Sequence, residues 1–188
     1  MFIAISGASG SGKSTVMLEL MKKRKNLFML QRASATTREK RGEDSTYQTY
    51  VYMTDEEFEK GIKDDIFIEH ESVHGHYYGT LKQAFILPVQ NKENDYIKDI
   101  DVKGMLNVRK YLEGKVPMIS IFLEVPDEEL ARRLLARGES EERIKVRLAR
   151  RELERSYKKH FDLVIENIDL EKTVQEISDF IDRKRQEK

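Results

Sequence analysis

The stretch Gly7-Ala8-Ser9-Gly10-Ser11-Gly12-Lys13-Ser14 constrains this chain more than any other. It fits G-x-x-x-x-G-K-[ST] and lies between an apolar run, Phe2–Ser6, and a helical pattern that opens at Lys13, the setting in which the pattern has meaning. Glycines at 7, 10 and 12 let the backbone curl until successive N–H groups face one anion, and the helix adds its positive end. Lys13 then reaches the outer phosphates of a nucleoside triphosphate, and the Ser14 hydroxyl is placed to bind Mg²⁺. Such a loop serves switches, motors and kinases alike, so it defines a nucleotide site and leaves the reaction open.

Short apolar runs alternate with longer periodic ones, the signature of an α/β layer fold with a parallel sheet. The strand candidates are Phe2–Ser6, Leu27–Gln31, Tyr96–Ile100, Met118–Val125 and Leu163–Ile165. Helical patterns cover Lys13–Lys25, Val102–Leu112, Asp127–Ala136, Glu141–Lys159 and Leu170–Arg183, with Asp127 and Asp169 near N-caps and the tail Arg183–Lys188 expected to fray. Residues 34 to 90 break the rhythm. There Tyr50–Met53, Ile66–Glu71 and Val73–Tyr78 read as short strands around a helix at Asp55–Ile62, which predicts a small mixed lobe inserted in the main sheet. Tyr47, Tyr52, Phe58, Phe67 and Phe85 are expected to form its core.

A length of 188 residues suits one domain with lobes, and no repeat or linker divides it. With 34 basic and 34 acidic residues, the zero net charge removes the electrostatic case for wholesale binding of nucleic acid or an anionic membrane. The neutral total hides asymmetry: Asp55–Glu71 carries eight acidic residues against Lys60 and Lys63, while Arg132–Arg155 carries nine basic against five acidic. No window is long and apolar enough to span a membrane, and the opening residues do not form a signal peptide, so a soluble, cytoplasmic protein is expected. The absence of cysteine excludes disulfides, thiol nucleophiles and cysteine-based zinc sites. His70, His74 and His76 read as lobe packing, not as zinc ligands.

Past the second strand come Ser34-Ala35-Thr36-Thr37-Arg38-Glu39-Lys40-Arg41, Tyr50, Phe67-Ile68-Glu69 and Val73-His74-Gly75-His76-Tyr77-Tyr78-Gly79-Thr80. Two arginines three apart, with phenolic hydroxyls, can clamp a second phosphate. Together with Asp99-Ile100-Asp101-Val102-Lys103-Gly104, the run Arg132-Arg133-Leu134-Leu135-Ala136-Arg137-Gly138 and Ile165-Glu166-Asn167-Ile168-Asp169-Leu170, these motifs make the chain resemble the guanylate kinase family over roughly residues 1 to 182. The resemblance implies a P-loop three-layer fold, a parallel sheet flanked by helices, with an inserted GMP-binding lobe and a helical lid. Core segments would be 1–33, 81–131 and 160–188, the acceptor lobe 34–80 and the lid about 132–159.

It further implies Mg²⁺-dependent phosphoryl transfer from ATP to GMP. ATP would be held by Gly7, Ala8, Ser9, Gly10, Ser11, Gly12, Lys13, Ser14, Thr15 and Asn167. The GMP phosphate would be held by Arg38, Arg41, Tyr50 and Tyr78, and guanine by Ser34, Glu69 and Thr80. Asp99 would bind GMP and, with Ser14, the metal, while Asp101 would cap or orient neighbours. Arg133, Arg137 and Arg147 would join Lys13 and Arg38 in catalysis, leaving most other arginines of that segment on a solvated face. Independently, a carboxylate at Glu69 can accept from the adjacent N1–H and amino group of guanine, which adenine does not offer. Three departures from the family pattern stand out: Lys98 in an apolar strand, a shortened segment after Arg137, and Ile168 where an acidic residue belongs. A kinase of another phosphorylated acceptor, such as another nucleotide or a ribose bisphosphate, and a non-catalytic protein-binding module are the rival readings.

Overall fold

A computed structural model describes residues 1–40, 50–73 and 75–187. Five parallel strands form the main sheet: β1 (Phe2–Ser6), β2 (Leu27–Met29), β7 (Asp95–Asp99), β8 (Met118–Glu124) and β9 (Leu163–Glu166), in the order β2-β7-β1-β8-β9. Every residue of β1 is buried, as expected of a central strand covered on both faces. Ile3 and Ile5 enter one core with Val16, Met17 and Leu20 of α1 (Lys13–Lys23) and Ile177 and Ile181 of α7 (Leu170–Gln186). Phe2 and Ala4 enter the opposite core with Met105, Val108 and Leu112 of α4 (Val102–Leu112). From β1 the chain runs first to β2 and β7 on one side and later to β8 and β9 on the other, which opens a ligand crevice at the carboxyl end of β1.

The second sheet holds β3 (Ser34–Thr36), β4 (Tyr50–Tyr52), β5 (Phe67–Val73) and β6 (His76–Leu81) in the order β4-β3-β6-β5. Its register explains its two faces. Tyr50, Ser34, Thr80 and Glu69 stand in one row across the four strands, and Tyr52, Thr36, Tyr78 and Glu71 in the row two residues on, so all eight point to one face. A bulge at Ile68 keeps Phe67 opposite Leu81 while Glu69 pairs with Thr80. The other face is apolar: Ala35, Phe67 and Leu81 pack under α2 (Asp55–Lys63), whose Phe58 stacks on Phe67 at 4.3 Å and Tyr77 at 5.1 Å. A reciprocal Thr54–Glu57 capping box starts α2.

Two more helices, α5 (Asp127–Ala136) and α6 (Glu141–Ser156), form a hairpin whose Leu130, Leu134 and Ile144 pack on Ala8 of the glycine loop. A 3₁₀ turn at Lys82–Phe85 leads into the short α3 (Ile86–Gln90), neither of which the sequence pattern shows. Other expectations are corrected. The carboxyl tail is helical to Gln186, tied down by Arg185 on the buried Asp95 at 2.9 Å. The β5–β6 turn falls at Gly75, in the left-handed region at φ 80°, not within residues 71–73. Phe85 belongs to the main-sheet core against Phe2, and Tyr52 lies on the polar face of the second sheet. Tyr47, Arg41 and His74 lie outside the described residues. Among the described residues no helix is long and apolar enough to cross a membrane.

Because Phe58 is fully buried and is the centre of the small sheet's apolar layer, Phe58→Ala is expected to lower stability by about 3–5 kcal/mol in urea unfolding. A loss below about 1 kcal/mol would show that the small sheet does not rest on this stack.

Candidate active site

The loop after β1 is shaped by three left-handed glycines: Gly7 at φ 145°, Gly10 at 88° and Gly12 at 90°. At Gly7 a Cβ would stand 2.5 Å from the Leu123 carbonyl oxygen, and at Gly12 2.6 Å from Asn167 Nδ2, so side chains are excluded by space as well as by torsion. Asn167 then fastens the loop: its buried Nδ2 donates to the Ser11 carbonyl at 2.7 Å, while its own N–H donates to the Glu124 carbonyl at 2.8 Å. Lys13 opens α1, and its ammonium donates to the carbonyls of Gly7 at 2.7 Å and Ala8 at 3.0 Å.

The three arginines expected over the phosphates come to this loop from the α5–α6 hairpin. Arg133 donates to the Asn167 carbonyl at 2.9 Å and is braced by Glu129 at 2.7 Å. Arg147 bonds the Ser9 hydroxyl and is braced by Glu139 at 2.6 Å. Arg137 ends α5 and its field, like that of Arg147, reaches Lys13. Burial pushes the Lys13 ammonium below the ordinary lysine range, Asp99 and Glu154 pull it back up, and Arg137 and Arg147 push it down again. Glu154 is a residue that the sequence reading missed. Burial raises its carboxyl above the usual range against the pull of Lys13 and Arg150. Its signal was spacing: seven residues after Arg147, it lies on the same face of α6.

Not all arginines of this segment are solvated. Arg151 is 2% exposed and pairs with Asp127, while Arg155 joins Glu124 at 2.6 Å and Asp127 at 3.3 Å, with Lys158 also on Glu124. These pairs fix the base of α6 to the end of β8 and the start of α5.

On the polar face of the second sheet the Thr80 hydroxyl donates to Glu69 Oε1 at 2.6 Å. Burial holds the Glu69 carboxyl above the ordinary range, opposed by the Thr80 bond and reinforced by Asp101 and Glu71. Ser34 and Tyr50 share its row, Tyr78 the next. The Arg38 guanidinium lies 5.2 Å from the Tyr50 ring centre and 6.0 Å from that of Tyr52, placing the cation at the Tyr50 end of the face, across from Glu69. Asp101 caps α4 by accepting from the N–H groups of Lys103 and Gly104, both at 2.9 Å, while its field also reaches Glu69. The structure therefore shows one surface with a carboxylate–hydroxyl end and an arginine–tyrosine end, and a second that is a cationic loop.

Asp99 ends β7 beside β1, with Ile5 as its register partner, and Ser14 lies in the first turn of α1. A carboxylate and a hydroxyl are the hard oxygen donors that suit Mg²⁺, which keeps several waters and takes its remaining ligands from phosphates.

The family profile described as guanylate kinase matches residues 2–184. A guanylate kinase of Chlorobaculum tepidum is 41% identical over 178 residues, covering 94% of this chain and 89% of that protein. One from Bacteroides thetaiotaomicron is 38% identical over 188 residues, covering 96% and 90%. The crystal structure of guanylate kinase from Anaplasma phagocytophilum superposes with a TM-score of 0.71 at 25% identity, covering 98% of this chain and 85% of that one.

Since the Asn167 amide satisfies a buried loop carbonyl, Asn167→Ala is expected to lower stability by about 1–3 kcal/mol, read from urea unfolding, and to weaken triphosphate binding more than tenfold. Unchanged binding of ATP would remove Asn167 from the loop's support.

Proposed function

The chain belongs to the guanylate kinase family, and from that membership we propose how it transfers the terminal phosphoryl group of ATP to GMP, giving ADP and GDP, and which residues do so. The observation that carries the acceptor assignment is the row Tyr50, Ser34, Thr80 and Glu69 on one polar sheet face, with Arg38 over its Tyr50 end. Guanine lies at the Glu69 end. Its N1–H and 2-amino group donate to the Glu69 carboxylate, which Thr80 orients, and Ser34 and Asp101 flank the base. Adenine presents an unprotonated N1 there and leaves the half-buried carboxylate with the Thr80 bond alone, the kind of mismatch by which polar sites discriminate by about 10⁴-fold. The GMP phosphate lies at the opposite end, under Arg38, Tyr50 and Tyr78, with Arg41 assigned by family pattern alone.

ATP is held on the other side of the crevice. The N–H groups of residues 7–15 face its phosphates, Lys13 leaves the Gly7 and Ala8 carbonyls to bind the outer ones, and Asn167 borders the base. Ser14 and Asp99 would hold Mg²⁺, which supplies positive charge to the phosphate oxygens when bound. No general base is required, because the attacking oxygen of GMP is already anionic. The protein contributes positioning and preorganised charge: Arg38 aligns the nucleophile, and Arg133, Arg137 and Arg147 neutralise charge that spreads onto the transferring group. We assign α5–α6 as the lid, residues 34–80 as the acceptor lobe and the remainder as the core. Closing these over the crevice excludes water that would otherwise hydrolyse ATP.

Coupled ADP release with Mg·ATP and a panel of GMP, dGMP, AMP, UMP, CMP and ribose 1,5-bisphosphate tests the reading. A GMP-selective signal is expected; silence with GMP in protein that binds ATP would overturn it. Lys13→Ala should lower kcat by about 10²–10³-fold with the fold intact by circular dichroism. Glu69→Gln should lower kcat/KM for GMP at least about 100-fold without lowering the thermal midpoint at pH 7. The sign follows from its raised carboxyl: the folded state binds that proton more tightly than the unfolded one, so ionised Glu69 costs stability at neutral pH. For the same reason KM for GMP should climb on acidification through a pH above the ordinary 4.5 of a glutamate, a limb absent from Glu69→Gln.

A further inference from the structure

Lys98 stands where the pattern of its strand calls for an apolar side chain. In β7 it pairs with Ala4 and follows Tyr96 on the face that looks into the α4 core, with Phe2, Leu30, Ala33 and Ile100. Its side chain is only 12% exposed, and its ammonium reaches up the strand to within 4.0 Å of Asp99 Oδ1. Asp99 itself faces the other way, toward the loop that follows β1, since neighbouring residues of a strand alternate and its register partner Ile5 lies in the α1 core. The carboxylate at the crevice is thus backed by a cation that arrives through the opposite side of the sheet.

A carboxylate beside a phosphate-binding loop has a cost: it repels the phosphate chain unless something cancels its charge. A divalent cation does so while bound. Lys98 is covalently fixed and partly shielded from solvent, so its field is less screened than that of a surface lysine. We propose that Lys98 is a positioning residue that neutralises Asp99 from behind the sheet, so that donor phosphates bind the loop with less dependence on Mg²⁺ than Asp99 alone would impose. This rests on the loop being the donor site.

The test is calorimetric binding of ADP to the full chain, Lys98→Met and Lys98→Arg, each in excess EDTA and in saturating Mg²⁺. Lys98→Met should lose about tenfold in affinity in EDTA and no more than about twofold in Mg²⁺, where the metal supplies the missing charge. Lys98→Arg should stay within about twofold of the parent in both, and Lys98→Gln, neutral but polar, should repeat the split seen with Met. The thermal midpoint of Lys98→Met should not fall, because an apolar side chain of similar length suits the layer around it. An unchanged ratio of the two affinities in the folded Met and Gln variants overturns the inference, as does an equal loss under both conditions with a lower thermal midpoint. A parent chain that fails to bind ADP even in Mg²⁺ would overturn the donor-site reading first, and this inference with it.

Discussion

Positive charge has to be concentrated at one loop without that loop repelling itself apart, and much of this structure answers that constraint. Lys13, Arg133, Arg137 and Arg147 converge on residues 7–13, and three of the four bring or find a compensating carboxylate. Arg133 carries Glu129, Arg147 carries Glu139, and Lys13 feels Asp99 and Glu154. Exposed ion pairs of this kind contribute little to stability. Their consequence is geometric: Arg133 and Arg147 are each held in one orientation beside the glycine loop.

The second sheet solves a different problem, that of giving four strands one wet and one dry face. Period-two alternation sends Ala35, Phe67 and Leu81 to the core under Phe58 and sends Ser34, Glu69 and Thr80 the other way. The bulge at Ile68 matters here, because without it Glu69 would not lie opposite Thr80 in this register, and the carboxylate would lose its donor. The polar face and the stability of the small sheet are therefore set by the same alternation. A one-residue slip would damage both.

Long periodic elements were readable from the residues, because burial on both faces or on one helical stripe leaves a strong signature. Phe2–Ser6, Val102–Leu112 and Asp127–Ala136 fall where the pattern places them. Short polar pieces were not: β3 is only Ser34–Thr36, and its strand character comes from pairing with β6, a partner more than 40 residues away. The tail helix persists to Gln186 because Arg185 finds the buried Asp95, a tertiary contact with no local trace. Among candidate site residues, the loop was legible as a motif, while the sharing of one sheet face by Ser34, Tyr50, Glu69, Thr80 and Tyr78 came from strand pairing that no local pattern shows. The field of Asp101 on Glu69 needed three dimensions, since it joins elements far apart in the chain, while Glu154 had only its helical spacing from Arg147 as a trace.

The packing of α5 on the loop makes the loop and the α5–α6 hairpin one unit. Ala8 is buried against Leu130 and Leu134, and a side chain at Gly10 would stand 3.1 Å from both leucines, so the loop's curl and the seat of α5 are one surface. Arg133 projects from the same helix to the Asn167 carbonyl, and the Asn167 amide in turn holds Ser11. A displacement of α5 therefore moves Arg133 and loosens the loop's outer wall together. Arg151 and Arg155, anchored on Asp127 and Glu124, extend that coupling to the base of α6, so Arg147 one turn above Arg151 inherits its position from the end of β8. In this arrangement the α5–α6 hairpin is not an independent flap: its arginines reach the loop only when the hydrophobic seat that shapes the loop is also in place.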